Sequence, residues 1–254
     1  MHHSTRELRL AAALVEAGDT VVDGFDPERY LRRLADRCVE LLTARAAGVM
    51  YVDGGRSVSL TGSSGHEEMA LELLRAQHDG GPCLDSYASG RPVAPVSIRA
   101  ARSASRWPEF TERALRHDVV TTYAVPLRRH DQLLGALNVF VPTLPEDEPS
   151  DGGTDLQLAQ LLADAGALGL RNHLTYVGCR TVTGQLQQAL ASRVRIEQAK
   201  GMLAERWRVP ADHAFVALRS YARRRQLPLD QVVQSVIARV ADDAELRREA
   251  PGPV

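Results

Sequence analysis

The chain has 254 residues, 44% of them apolar and 25% charged, with a formal net charge of −1, a globular composition with room for two domains. No stretch approaches the roughly 18 to 20 consecutive apolar residues needed to span a bilayer, so no membrane segment is expected. Cys38, Cys83 and Cys179 are odd in number, widely spaced and without a C-x-x-C pair, which indicates neither a disulfide framework nor a zinc site and fits a reducing cytoplasm.

The apolar run LAAALV at 10–15 is flanked by Arg6, Glu7, Arg9 and Glu16, too short and too charged for a signal peptide. It predicts an amphipathic helix starting at Ser4, within an N-terminal segment 1–24. From Asp26 to Ala44 the apolar residues Leu31, Leu34, Cys38, Leu41 and Leu42, with Pro27 in the first turn, predict a second helix. AAGVMYVDGG (46–55) and SVSLTGSSG (57–65) read as two strands joined at Asp53, Gly54 and Gly55. A helix over Glu67–Ala76 and a short one over PCLDSYASG (82–90) follow, then a strand in RPVAPVSI and a helix from Arg106 to His117. VVTTYAVPLRR, running to Arg129, and LLGALNVFVP (133–142) are the two longest strands, and an acidic, Pro- and Gly-rich linker (143–153) leads to a helix from Thr154 onward.

Along that helix Leu158, Leu161, Ala165, Leu168, Asn172, Thr175, Cys179, Val182 and Leu186 recur at alternating intervals of three and four, the heptad signature of a coiled coil and hence of a homodimer. Asn172 at a core position fixes register at a cost in stability, while Thr175, Gly178 and Gly184 lower helix propensity. Two readings stay open: one continuous helix, or a closing helix followed by a loose connector.

From Thr183 to Ile237 the apolar residues fall at helical spacing in three runs. The first carries Ala189, Ile196, Ala199, Leu203 and Trp207 on one face, and Pro210 with Asp212 ends it and opens the next. The second buries Ala214, Phe215, Leu218 and Ala222, so Arg219 and Arg223 point outward together. Pro228 ends that run, and Leu229, Val232, Val236, Ile237 and Val240 form the buried stripe of the third. Residues 183–240 hold ten basic and four acidic side chains, a net of +6, against −5 over residues 1–182. An acidic body and a basic head result, and the head calls for a polyanion. Lys200 is the single lysine beside thirty arginines, which reads either as a compact ammonium in a tight site or as a surface cation paired with Glu197.

Catalytic motifs fail. HEEMA (66–70) lacks the second histidine of H-E-x-x-H, TGSSG (61–65) lacks the spacing of a nucleophile elbow, and the absence of lysine before position 200 excludes a P-loop from the body. His66, His78, His117 and His130 show no mutual ligand spacing. The residues call for no enzyme, no metal and no cofactor.

Two resemblances cover nearly the whole chain. SR-x-x-IEQAKG-x-L (192–203), followed by AF-x-x-LR-x-x-A (214–222), resembles the ANTAR domain, the RNA-binding output module of bacterial transcription antiterminators. Val233 departs from the alanine common there. GPCLD-x-x-x-SGRPV, then RWPEF and YAVPLRRHDQLLGALNVF, resembles the GAF domain as it occurs fused to ANTAR, over about 25–171. The resemblances imply an α+β GAF-like antiparallel sheet sandwich (25–171), a linker helix (172–182), an all-α three-helix ANTAR-like bundle (183–240) and a disordered tail (241–254). They imply a GAF and ANTAR domain-containing antitermination regulator of actinobacterial type that binds stem-loop RNA in nascent transcripts. Arg193, Lys200, Arg219, Arg223 and Arg224 would contact RNA. Tyr221 is the candidate base-stacking residue, with a ring half-buried against the third helix as the alternative. In GAF domains the pocket beneath the sheet holds a cyclic nucleotide, a haem, a tetrapyrrole or nothing, so a small-molecule ligand stays open. Cys83 reads as a packing residue rather than a chromophore or redox site. The competing classes are a DNA-binding regulator with an Arg-rich helix and a non-enzymatic scaffold for an acidic protein.

Overall fold

A computed structural model describes residues 2–54, 57–130, 132–143 and 152–250. The predicted turn at Gly55, most of the acidic linker (144–151) and the last residues of the tail (251–254) lie outside them. The chain divides into two compact units, Met1–Tyr176 and Val177–Val254.

In the first unit the expected elements are present: α1 (His2–Gly18), α2 (Pro27–Leu42), β1 (Ala46–Asp53), β2 (Ser57–Gly62), α3 (Glu67–Arg75), α4 (Pro82–Ser89) and β3 (Val93–Ser97). They continue with α5 (Ile98–Ser103), α6 (Pro108–Arg116), β4 (Thr121–Arg129) and β5 (Gln132–Val141). The short α5 is absent from the sequence reading, because six residues with two buried positions, Ile98 and Ala101, carry no readable period. Asp26 caps α2 by accepting from the amides of Glu28 and Arg29, with Pro27 in the first turn. Gly90 ends α4 in the left-handed region, φ +64°, where a side chain would be strained.

The sheet is antiparallel throughout, in the order β2-β1-β5-β4-β3. Its central strands are buried on both faces and the two-residue alternation sorts their side chains. Ala47, Val49 and Tyr51 of β1, Tyr123, Val125 and Leu127 of β4, and Leu137 and Val139 of β5 pack with α1 and α2 in one core. Ala46 and Phe140 face a second core built on α3, α5 and α6, and Met50 and Ala136 meet Leu74 and Cys83. This is the α+β sandwich that the sequence predicts.

A single helix, α7 (Gly152–Trp207), runs for 56 residues through the predicted linker. Of the two open readings the continuous one holds, and 172–182 is no separate element. Gly178 and Gly184 lie inside it at roughly 1 kcal/mol each relative to alanine, a cost a long helix absorbs when packing fixes both of its ends. Its stripe against the first unit is Ala159, Leu162, Ala163, Ala167 and Leu170. Tyr30 reaches across to the carbonyls of Ala17 (2.8 Å) and Gly166 (3.1 Å), joining three helices. Of the heptad positions Leu158 packs against the same core, whereas Leu161, Val182 and Leu186 stay exposed.

In the second unit the end of α7 packs with α8 (Ala211–Arg225), α9 (Leu229–Ile237) and a further helix, α10 (Asp243–Arg247). Ala199, Leu203, Trp207, Ala214, Ala217, Leu218, Ala222, Val232, Val233 and Val236 form its core, and Leu246 of α10 completes it. Four expectations change here. The tail is not disordered through Ala250, because α10 seats a fully buried leucine. Val240 is exposed and Ala189 lies outside the core. Phe215 is only half-buried, and Ala217 takes the core place. Val233 is accommodated in the core with no exposed surface.

Candidate nucleic-acid interface

The prolines set this unit's geometry. Val209 and Pro210 break α7 from α8, whose last turn ends at Gln226 in the left-handed region, φ 53°, and Pro228 opens α9. Arg195 then clamps the start of α9, its Nη2 donating to Asp230 at 2.7 Å. That contact removes one arginine from the pool available to a ligand.

Seven of the remaining cations fall on two faces. Successive residues of a helix turn by about 100°, so Phe215, Arg219 and Arg223 of α8 project together, while Tyr221, Arg224 and Arg225 project from the opposite side. On the first face Lys200 of α7 sits 5.5 Å from the centroid of the Phe215 ring, and the Arg219 guanidinium sits 5.8 Å from it. One aromatic ring thus carries two cations. Lys200 is also held by Glu197 at 3.0 Å, and its side chain is only 14% exposed. Arg193, two turns before Lys200, shares that stripe. Arg193, Arg219 and Arg223 are exposed, and none has a carboxylate partner among the described residues.

On the opposite face Arg206, Arg224 and Arg225 are each engaged. Arg206 Nη1 and Trp207 Nε1 donate to the two oxygens of Asp243, at 2.8 and 3.0 Å. Burial raises the Asp243 carboxyl, but the bonds from Arg206 and Trp207 outweigh it and hold the group below its ordinary value. Arg225 donates to both oxygens of Glu245 at 2.6 Å, Arg224 to the same residue at 2.9 Å, and the Tyr221 hydroxyl meets it at 3.4 Å. The Arg225 bond is the chief cause that lowers the Glu245 carboxyl. α10 itself hangs on Leu246, whose burial stabilises by roughly 1.5 to 3 kcal/mol.

The six sequence-predicted contact residues therefore do not converge. Arg193, Lys200, Arg219 and Arg223 share one face; Tyr221 and Arg224 lie on the other, with Tyr221 against the α10 side chains and not beside Arg219. Sequence reasoning missed Phe215, which it placed in the core. The signal was present, since Phe215 precedes Arg219 by four residues, the spacing at which helix side chains meet.

In the first unit several buried polar groups are hydrogen-bonded to one another. A buried chain runs from Thr122 through Asn138 and Gln77 to the Cys83 amide: Asn138 Nδ2 donates to Thr122 at 2.7 Å, Gln77 Nε2 to Asn138 at 2.8 Å, and Cys83 N to Gln77 at 2.8 Å. Cys83 is buried with Met50, Leu74 and Ala136, and burial pushes its thiol up, as packing requires and thiolate chemistry does not. His78 meets Asp79 at 3.1 Å and Glu109 at 3.5 Å in an exposed group that reads as ordinary surface pairing.

The family model described as "GAF domain" matches residues 26–171, more than half of the chain, and that described as "ANTAR domain" matches residues 184–237. The chain belongs to the GAF domain family and carries an ANTAR domain. The two domains give it a regulatory role. Solved structures similar to it include the GAF domain of the cyanobacteriochrome TePixJ, 20% identical over 61% of this chain and 95% of that one, with a TM-score of 0.44. A GAF domain/HD domain protein from Geobacter sulfurreducens is 19% identical over 58% and 93%, with a TM-score of 0.44. The nlh2 GAF domain of A. aeolicus, solved in an inactive state, is 10% identical over 65% and 98%, with a TM-score of 0.46. No curated protein matches significantly. Among the described residues no helix is long and apolar enough to cross a membrane.

Proposed function

We propose that this protein is a cytoplasmic transcription antitermination regulator whose ANTAR unit binds stem-loop RNA and whose GAF unit senses or assembles. The observation that carries the reading is the face around Phe215: one half-exposed ring with Lys200 and Arg219 beside it, flanked by Arg193 and Arg223, within the ANTAR-matched residues. Guanidiniums that lack carboxylate partners are ready to take phosphates, and a ring at the same surface offers a stacking platform for an unpaired loop base. Nothing in this reading requires a catalytic step. The exposed heptad positions of α7 support a homodimer, in which Val182 and Leu186 would be covered by a second copy.

The test is retention of a hairpin RNA against the matching duplex DNA at fixed moderate salt. The hairpin is expected to bind and the duplex to pass through, with log affinity falling at a slope of about −0.7 per phosphate neutralised for single-stranded contacts. Preference for the duplex would turn the protein into a DNA-binding regulator; binding of neither would point to an acidic protein partner.

A further inference from the structure

The face of the ANTAR unit opposite Phe215 carries its own inference. We propose that Tyr221, Arg224 and Arg225 form a second polyanion-binding surface, whose ligand is the RNA phosphodiester backbone and whose resting occupant is the chain's own acidic segment 242–249. It deepens the functional reading above, on which it rests for the identity of the polyanion.

The geometry is that of an anion already bound. Glu245 receives both of its 2.6 Å contacts from Arg225, a third from Arg224 at 2.9 Å and a fourth from the Tyr221 hydroxyl, and Arg224 Nε reaches Glu249 at 2.7 Å. A carboxylate in a fork of two guanidiniums occupies the place a phosphate group would take. Both guanidiniums lie beside the Tyr221 ring, at 5.9 and 5.8 Å from its centroid, the combination of ring and cation on which single-stranded bases stack. The two arginines are each about half exposed, so the surface opens to solvent once the carboxylate leaves.

The occupant is built to leave. Residues 241–250 carry four acidic and two basic side chains, and α10 is five residues long, below the length at which a helix persists unaided. Asp243 and Leu246 tether it to the bundle while Glu245 and Glu249 supply the competing charge. A ligand that needs the surface free binds more weakly by the fraction of time the segment covers it.

The experiment compares wild type, Glu245→Gln/Glu249→Gln, and that pair combined with Arg224→Gln/Arg225→Gln, using a hairpin RNA and inorganic polyphosphate as probes. Asp243 and Leu246 stay untouched so that the segment keeps its anchors. The glutamine pair should bind both probes about tenfold more tightly, and the added arginine changes should erase that gain. No gain, or a gain that survives loss of the two arginines, overturns the proposal. Tighter polyphosphate binding with no hairpin binding by any variant upholds the surface and removes RNA as its ligand. If the glutamine pair melts early, hydrogen exchange in the wild type decides: saturating hairpin RNA should speed exchange at the Glu245 and Leu246 amides, which bond to Asp242. Unchanged protection there overturns the proposal.

Discussion

Both tryptophans of the chain follow an arginine, and the two pairs are built alike in units of different kinds. In the GAF unit Arg106 and the Trp107 indole donate to Asp85 of α4, at 3.0 and 3.2 Å. In the ANTAR unit Arg206 and the Trp207 indole donate to Asp243 of α10, at 2.8 and 3.0 Å. The first carboxylate belongs to a helix wedged against the sheet, and the second to a short segment beyond the three-helix bundle. A five-stranded sandwich closes its own polar contacts, whereas a bundle this small borrows a partner from its tail. Aromatic rings divide the same way. Phe110 and Phe140 are fully buried against each other, centroids 6.4 Å apart, while Phe215 and Tyr221 stay near the surface with two cations each.

That contrast is broken or sharpened first by core deletion. Phe140→Ala should cost about 3 to 5 kcal/mol, the range for a buried phenylalanine, and Phe215→Ala much less while weakening hairpin affinity about tenfold. Equal losses in melting temperature would put Phe215 in the core after all. Next, Leu246→Ala should destabilise the ANTAR unit by about 2 to 4 kcal/mol and leave the GAF unit's transition in place. An unchanged ANTAR transition would return α10 to a loose tail. Third, Val182→Asp with Leu186→Asp should give monomers by sedimentation without a change in melting, because both side chains are exposed at 54% and 66%. A persistent dimer would place the contact off the heptad positions of α7. The smallest effect is on pH. Glu245 has its carboxyl lowered from 4.5, so its hold on Arg225 is complete above that value and is lost as pH falls through the lower folded value. Protection of the α10 amides relative to their intrinsic exchange should therefore fall below about pH 4.5, while protection that stays constant would mean that Leu246 alone keeps the helix docked.

Most of the fold was legible because its signals are local. Long apolar runs marked β4 and β5, proline and glycine punctuation marked α4, α8 and α9, and motif spacing pointed to both domains. Three features were not. Continuity of α7 past Gly178 and Gly184 is decided by packing at its two ends, which propensity does not see. Membership of α10 in the bundle rests on Leu246 and Asp243 meeting residues about twenty-five to forty positions earlier, and a short acidic stretch with one leucine has no readable period. The candidate site was half legible: a spacing of four puts Arg219 and Arg223 on one side of α8, and Arg193 and Lys200 were added as the family resemblance implies. Arg224 and Tyr221 were assigned to the same face because a count of cations does not register which side of the helix each one leaves.

The central claim is that the face around Phe215 binds RNA, with Arg193, Arg219 and Arg223 free of carboxylate partners among the described residues and Lys200 beside the ring. It is tested most directly by hairpin affinity at fixed salt for Lys200→Ala/Arg219→Ala, with melting followed in parallel. Affinity should fall about a hundredfold, roughly 2.7 kcal/mol, with melting lowered far less, since alanine is the better helix former and a helical i,i+3 Lys–Glu pair is worth about 0.2 to 0.5 kcal/mol. Unchanged affinity in a fully folded variant would contradict the claim.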